Sequence, residues 1–326
     1  MSAFRAGSGS LRYELVENWE QLPAGWEHGD VPATATDSEG RVYVFARSAH
    51  PLTVYSRDGA FLGSWGEGEF PHPHGIYIDP QDRVFLVDDG DHTARAYTRE
   101  GRRLLTLGNP SVPSNTGYSG STDSVQNSAG PFNRPTNVVL GPGGTLYAAD
   151  GYGNACVHQF DSAGQLLGSW GTPGSQPGQF RLPHGLWVLP TGEVLVCDRE
   201  NDRIQTFGPD GAYRSEWTGF HRPADLCVDA AGRIYVAELA IAEKLEGWDR
   251  WHRRLPAQVS IFDAEHNLLL RWGTEDGAAP GSFVAPHDIW VDNQGAIYVA
   301  EVTYTGGIRH GYYPAGTHAL QKFARL

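Results

Sequence analysis

The chain has 326 residues, with 25 Lys and Arg against 38 Asp and Glu, for a formal charge of −13. That balance argues against nucleic acid or an anionic membrane as a partner. No apolar run reaches membrane length, and the opening MSAFRAGSGSLRYE lacks the apolar core of a secretion signal, so a cytoplasmic protein is expected.

In chain order, LRYELVENW reads as one strand standing ahead of a repeat. Six similar units follow. They are VPATATDSEGRVYVFAR…LTVYSRDGAFLGSWG, PHGIYIDPQDRVFLVDDGDHTARAYTREGRRLLTLG, RPTNVVLGPGGTLYAADGYGNACVHQFDSAGQLLGSWG, LPHGLWVLPTGEVLVCDRENDRIQTFGPDGAYRSEW, RPADLCVDAAGRIYVAE…QVSIFDAEHNLLLRWG and APHDIWVDNQGAIYVAEV…HALQKFARL. The first five each read as four short strands separated by Gly or Asp-Gly turns, the pattern of an all-β, six-bladed β-propeller. The sixth unit stops after its third strand, so the N-terminal strand is expected to supply the fourth and close the ring. The length alone would allow two domains, but the 41 Gly and 21 Pro are concentrated in turns and no linker interrupts the repeat, so residues 1–326 read as one domain. Insertions break the repeat at about 109–130, 239–257 and 303–318. Strand direction places all three on the rim that receives the loop after each second strand, and long loops of this kind are often lids or binding loops.

Three units open on Pro-His: His74, His184 and His287, at spacings of 110 and 103 residues, about two repeats each. In a closed ring these imidazoles converge on the axis from three sides. Three His without a fourth protein ligand suit a divalent transition metal with an open position. The alternating units carry Thr136, Asn137 and Ala224, Asp225 in the same register, while the neighbouring His72 reads as a surface residue. The loops after the second strands bring Tyr152, Arg199 and Arg47 to the same rim. An Arg fork suits a carboxylate, and a tyrosine near a cation can serve as a base, a constellation for proton abstraction beside a Lewis acid.

The stretch FNRPTNVVL…DGYGNACVHQF…GSWGT…PGQFRLPHGLWVL…CDRENDRIQTF resembles NHL repeats and, more specifically, the peptidylglycine α-hydroxyglycine α-amidating lyase family. The resemblance runs from about the first unit to the last and is densest in the third and fourth. It implies Zn²⁺ on His74, His184 and His287, Tyr152 as the catalytic base, and Arg47 and Arg199 as the substrate-binding arginines. It also implies a structural Ca²⁺ held by Asp288 and main-chain carbonyls such as that of Ile76. The implied reaction cleaves the N–Cα bond of a carbinolamide to an amide and glyoxylate, on a small-molecule or peptide-derived α-hydroxy substrate. Two departures stand out. Ala285 replaces a family methionine two residues before the third His, and Asn133 and Gly153 stand where secreted members have a disulfide.

Other readings of the same residues remain. A lactonase-like metal-dependent hydrolase would share the propeller, although calcium sites of that type favour carboxylate and amide oxygens over imidazoles. A non-catalytic NHL scaffold would have no use for three converging His. Cys156, Cys197 and Cys227 lack metal-ligand spacing and read as reduced, buried thiols. The cluster Trp248, Trp251, Arg253 and Arg254 reads as a lid, a partner surface or a packed loop. The sequence carries no signal of oligomeric state.

Overall fold

The computed structural model describes residues 4–244 and 251–326. Six antiparallel sheets form the blades of a propeller, each innermost strand facing the ring axis. The inner strands are Ala33–Thr36, Pro73–Ile78, Pro135–Leu140, Pro183–Val188, Pro223–Val228 and Pro286–Val291, in blades 1 to 6. They are almost wholly buried, while the outermost strands, such as Tyr213–Thr218, are largely exposed. That gradient runs from inner strands rich in apolar residues, such as PHGIYI, to outer strands that mix apolar and polar residues, such as YRSEWT.

Blade 6 is closed from the other end of the chain. Its third strand, Leu320–Arg325, pairs antiparallel with Leu11–Leu15, with Tyr13 opposite Arg325 and Leu15 opposite Phe323. An additional strand, Arg5–Ser8, folds back on Leu11–Leu15. The closing strand is anchored by apolar burial: Tyr13 is fully buried and stacks on Trp272, with centroids 6.3 Å apart.

A buried carboxylate at the end of the second strand ties each of blades 2 to 6 together. Asp88, Asp150, Asp198, Glu238 and Glu301 accept from the backbone N–H of His72, Asn133, Arg181, His221 and Val284, respectively, just before the inner strand begins. Blade 1 has Ala46 in this register, consistent with its poorer match to the repeat. On the opposite face, Asp37, Asp79 and Asp229 each clamp a turn through the backbone N–H and Nε of an Arg four residues on. Three residues beyond each Pro-His imidazole, Tyr77, Trp187 and Trp290 meet ring to ring with centroids 5.8–6.2 Å apart. Three strand residues span about 10 Å, so these rings pack well below the imidazoles.

Of the Trp/Arg cluster, Trp248 lies outside the described residues, and Trp251, Arg253 and Arg254 fall on Trp251–Leu255. That strand forms a hairpin with Ile241–Lys244 between the second and third strands of blade 5. No helix among the described residues is long and apolar enough to cross a membrane.

Candidate metal centre and active site

His74, His184 and His287 converge on one point at the head of the inner strands, their ring centroids 4.6–4.9 Å apart. All three are buried. Each Nδ1–H donates to a main-chain carbonyl of the next blade: His74 to Thr136 at 2.7 Å, His184 to Ala224 at 2.7 Å and His287 to Pro32 at 2.8 Å. This fixes the tautomer and leaves Nε2 as the acceptor on every ring. Burial holds all three imidazoles below their ordinary value. The neighbouring imidazoles add to this for His74, the charge of Arg199 for His184, and that of Arg47 for His287, which falls to about 3. Neutral imidazole is the form that binds a metal.

Tyr152, carried just past the second strand of blade 3, places its hydroxyl 3.2 Å from Nε2 of His74 and 3.2 Å from Nε2 of His184. Nε2 of His287 is buried and has no hydrogen-bond partner among the described residues. One O–H can satisfy only one of these three acceptors, so at least two buried lone pairs aim inward with no donor among the described residues. Such groups are costly unless something cationic or protic binds them. The donor set therefore fits a divalent metal.

Arg199 and Arg47 occupy the same register of blades 4 and 1. Arg199 is buried, donates from Nη1 toward the Tyr152 hydroxyl at 3.4 Å, and is tied through Nε to Glu200 at 3.0 Å. Arg47 donates from Nε to the carbonyl of Pro73 at 3.1 Å, beside His74, and from Nη1 to Asp30 at 3.3 Å. The structure thus brings the three His and Tyr152 together, with Arg199 in contact and Arg47 one residue away through Pro73. His72 is partly exposed and bonds Asp89.

Two insertions back onto these side chains. In the 109–130 loop, Thr116 and Thr122 donate to the carbonyls of Gly153 and Tyr152. In the 303–318 segment, Thr305 binds the same Asp30 that holds Arg47, and its backbone N–H lies 2.8 Å from Asp30 Oδ1. A cleft of about 810 Å³ beyond Arg47 is lined by Asp30, Trp26, His28, Tyr304, Thr305 and Ile308 among others. Ala285 is buried against Gly306 of this insertion, where an added Cβ would stand 2.7 Å from that of Ala285. Asn133 and Gly153 are adjacent, the Gly153 N–H reaching the Asn133 carbonyl at 3.0 Å.

One residue below the imidazoles, the channel carries Asp288 and Asp225, both buried, with Asn137 donating to Asp225 at 2.9 Å. Burial pushes both carboxyls up, Asp288 to about 8, and the charge of Asp288 adds to the effect on Asp225. Ile76 is buried in the inner strand of blade 2. Asp225 and Asn137 extend the polar set at this level, and sequence reasoning did not assign them. Their only signal was their register, one residue past the Pro-His position in alternate blades. A second buried cluster of ligand-type residues, Asp150, Cys156 and His158, lies in blade 3. The cysteines Cys156, Cys197 and Cys227 are all free and buried, and burial pushes each thiol well up.

Comparison with known proteins supplies the family. An NHL repeat model matches residues 180–207. The chain is 30% identical to the peptidylglycine alpha-amidating monooxygenase of Rattus norvegicus over 87% of its own length and 32% of that protein. It is 30% identical to peptidyl-alpha-hydroxyglycine alpha-amidating lyase 1 of Drosophila melanogaster over 78% of its length and 47% of that protein. The chain is a relative of the amidating lyases, built on NHL repeats. It spans about a third of the rat protein and about half of the fly one. The human NHL repeat-containing protein 3 is 29% identical over 90% of this chain and 82% of that protein. Among solved structures, a streptogramin B lyase superposes with a TM-score of 0.61 at 13% identity, covering 97% of this chain and 99% of that one. A gluconolactonase of Xanthomonas campestris gives 0.59 at 12%, covering 99% and 95%. These structural likenesses speak to the fold alone.

Proposed function

We propose that this chain is a metal-dependent C–N lyase of the amidating type. It would act on a small or peptide-derived α-hydroxyglycine and release glyoxylate and an amide. The observation that carries the reading is the meeting of three fixed Nε2 acceptors with the Tyr152 hydroxyl, 3.2 Å from two of them. His74, His184 and His287 would hold Zn²⁺ or another divalent transition metal, which supplies Lewis acidity to the substrate hydroxyl when bound.

The remaining work falls to the chain's own residues. Tyr152 takes the proton of the substrate α-hydroxyl. The oxygen's electron pair forms the aldehyde C=O of glyoxylate, the C–N bond breaks, and its pair leaves with the amide nitrogen, which is then protonated. Arg199 and Arg47 hold the substrate carboxylate. Arg199 is well placed to hold that group beside Tyr152, because its other contacts, to Glu200 and Tyr152, already fix its fork.

Asp288, with the Ile76 carbonyl and the adjoining Asp225, is the proposed place for a structural Ca²⁺. A cytoplasmic location and the expectation of neither nucleic acid nor membrane as a partner remain part of this proposal, on the charge and composition of the chain. A lactonase-like hydrolase draws support from the fold alone, and the imidazole donor set favours the lyase.

The test is glyoxylate release from α-hydroxyhippurate by the metal-loaded protein. Release that disappears in Tyr152→Phe supports the lyase. Hydrolysis of a lactone without glyoxylate release contradicts it.

A further inference from the structure

Arg134 is a third arginine beside Tyr152, and the proposed substrate contacts do not use it. It precedes the inner-strand proline of blade 3 in a left-handed conformation, φ 62°. Leu182 and Arg222 hold the corresponding positions of blades 4 and 5 at φ 74° and 41°. The slot thus belongs to the fold, and Leu182 shows that the fold does not demand a cation there. In blade 3 the cation is present and anchored. Its Nε and Nη2 both reach Asp89 Oδ2, at 3.1 and 2.6 Å, and Asp89 is fully buried. Its backbone N–H donates to His92 Nδ1 at 3.0 Å.

Arg134 also meets Tyr152 twice. Its carbonyl accepts from the Tyr152 N–H at 3.4 Å, and its guanidinium carbon lies 5.8 Å from the Tyr152 ring centroid. Arg199 lies 5.4 Å from the same ring. A guanidinium over an aromatic face contributes attraction that depends on orientation, so a ring carrying two of them resists rotation away from the imidazoles.

We propose that Arg134, braced by the buried carboxylate of Asp89, is a positioning residue that holds the Tyr152 ring in register with the three imidazoles. Arg134 does not touch the reacting atoms and acts through Tyr152. The catalytic part of this inference rests on the lyase reading above, while the positioning part stands on the ring geometry alone.

The experiment compares wild type, Arg134→Ala, Arg134→Lys, Tyr152→Phe and the double variant Arg134→Ala/Tyr152→Phe. The first readout is the ¹³C–¹H spectrum of labelled tyrosine in metal-free protein, with Tyr152 assigned by its loss in Tyr152→Phe. The Tyr152 ring signal shifts or broadens in Arg134→Ala and returns toward its position in Arg134→Lys. The second readout is glyoxylate release. Arg134→Ala lowers kcat by about tenfold to a hundredfold with KM little changed, and lowers nothing further in the Tyr152→Phe background. If Arg134→Ala does not fold, Asp89→Asn removes the brace and moves the same signal. An unmoved Tyr152 signal in Arg134→Ala, or in Asp89→Asn where that is the variant used, overturns the positioning role. So does an equal loss of kcat with and without the Tyr152 hydroxyl. If the wild-type protein releases no glyoxylate, the lyase reading fails, and the ring signal still decides the role of Arg134.

Discussion

Two buried clusters in this propeller offer the residue types that bind metals, and they differ in what their atoms are already doing. In His74, His184 and His287, each Nδ1 is occupied by a carbonyl, and the three Nε2 atoms converge with one hydroxyl between them. In Asp150, Cys156 and His158, nearly every atom is engaged. Asp150 accepts from the N–H of Asn133, from Asn154 at 2.7 Å and from His158 at 3.2 Å, and His158 turns its other nitrogen to Ser169 at 2.7 Å. Cys156 Sγ lies 3.5 Å from His158 Nε2, the nitrogen that faces Asp150. The second cluster is blade 3's version of the carboxylate latch found in five blades. Burial and residue type are shared by the two. Among the described residues, only the first has lone pairs left without a donor, and that marks it as the candidate binding site and the second as a structural joint.

The largest effect that sharpens this contrast should come from Tyr152→Phe, the side chain that sits on the first cluster without being one of its imidazoles. Glyoxylate release should fall by about 10²–10⁴-fold while metal content stays at the wild-type value. A loss of metal in this variant would make Tyr152 a ligand and not a base.

In the second cluster the expected losses are of stability. Asp150→Ala removes the acceptor of three donors and should cost about 2–4 kcal/mol, read from urea unfolding, with the metal-to-protein ratio unchanged. Cys156→Ala deletes only a weak acceptor at the edge of the latch and should cost about 1–2 kcal/mol, again without loss of metal. Metal loss in Cys156→Ala would erase the distinction between the clusters.

The smallest expected effect concerns His318, an imidazole under the opposite control. Burial works against its charge, but the hydrogen bond to Glu301, at 3.2 Å, raises its pKa overall. A His with a raised folded value contributes stability that is fully present below its ordinary value of about 6.5 and is lost as pH rises through the folded value. Wild type should therefore lose more stability than His318→Gln between pH 6 and pH 9, measured as the difference in urea midpoints. Parallel pH profiles would show that the pair contributes nothing.

Much of this was legible in the sequence because the repeat writes it in letters. Pro-His at every second inner strand gave the imidazoles, and the missing last strand of the sixth unit pointed to LRYELVENW, which supplies Leu11–Leu15. The extra strand Arg5–Ser8 had no repeat counterpart to announce it. What orients the imidazoles was invisible, because the acceptors are main-chain carbonyls of Pro32, Thr136 and Ala224, which any residue would offer. Arg47 could be placed by register, yet its partner Asp30 comes from outside the repeat. Arg134 was hidden for the opposite reason. Arg-Pro recurs in RPTN and RPAD as ordinary repeat chemistry, and only the closeness of the Tyr152 ring separates the two.

The central claim is that the three imidazoles, and not the blade 3 latch, hold a metal. It is tested most directly by the metal-to-protein ratio of purified wild type, His184→Ala and Cys156→Ala, measured side by side by elemental analysis. The account predicts about one divalent transition metal per chain in wild type and Cys156→Ala, and its loss in His184→Ala. Equal metal in wild type and His184→Ala, or no transition metal in wild type after growth and purification with zinc supplied, would contradict it.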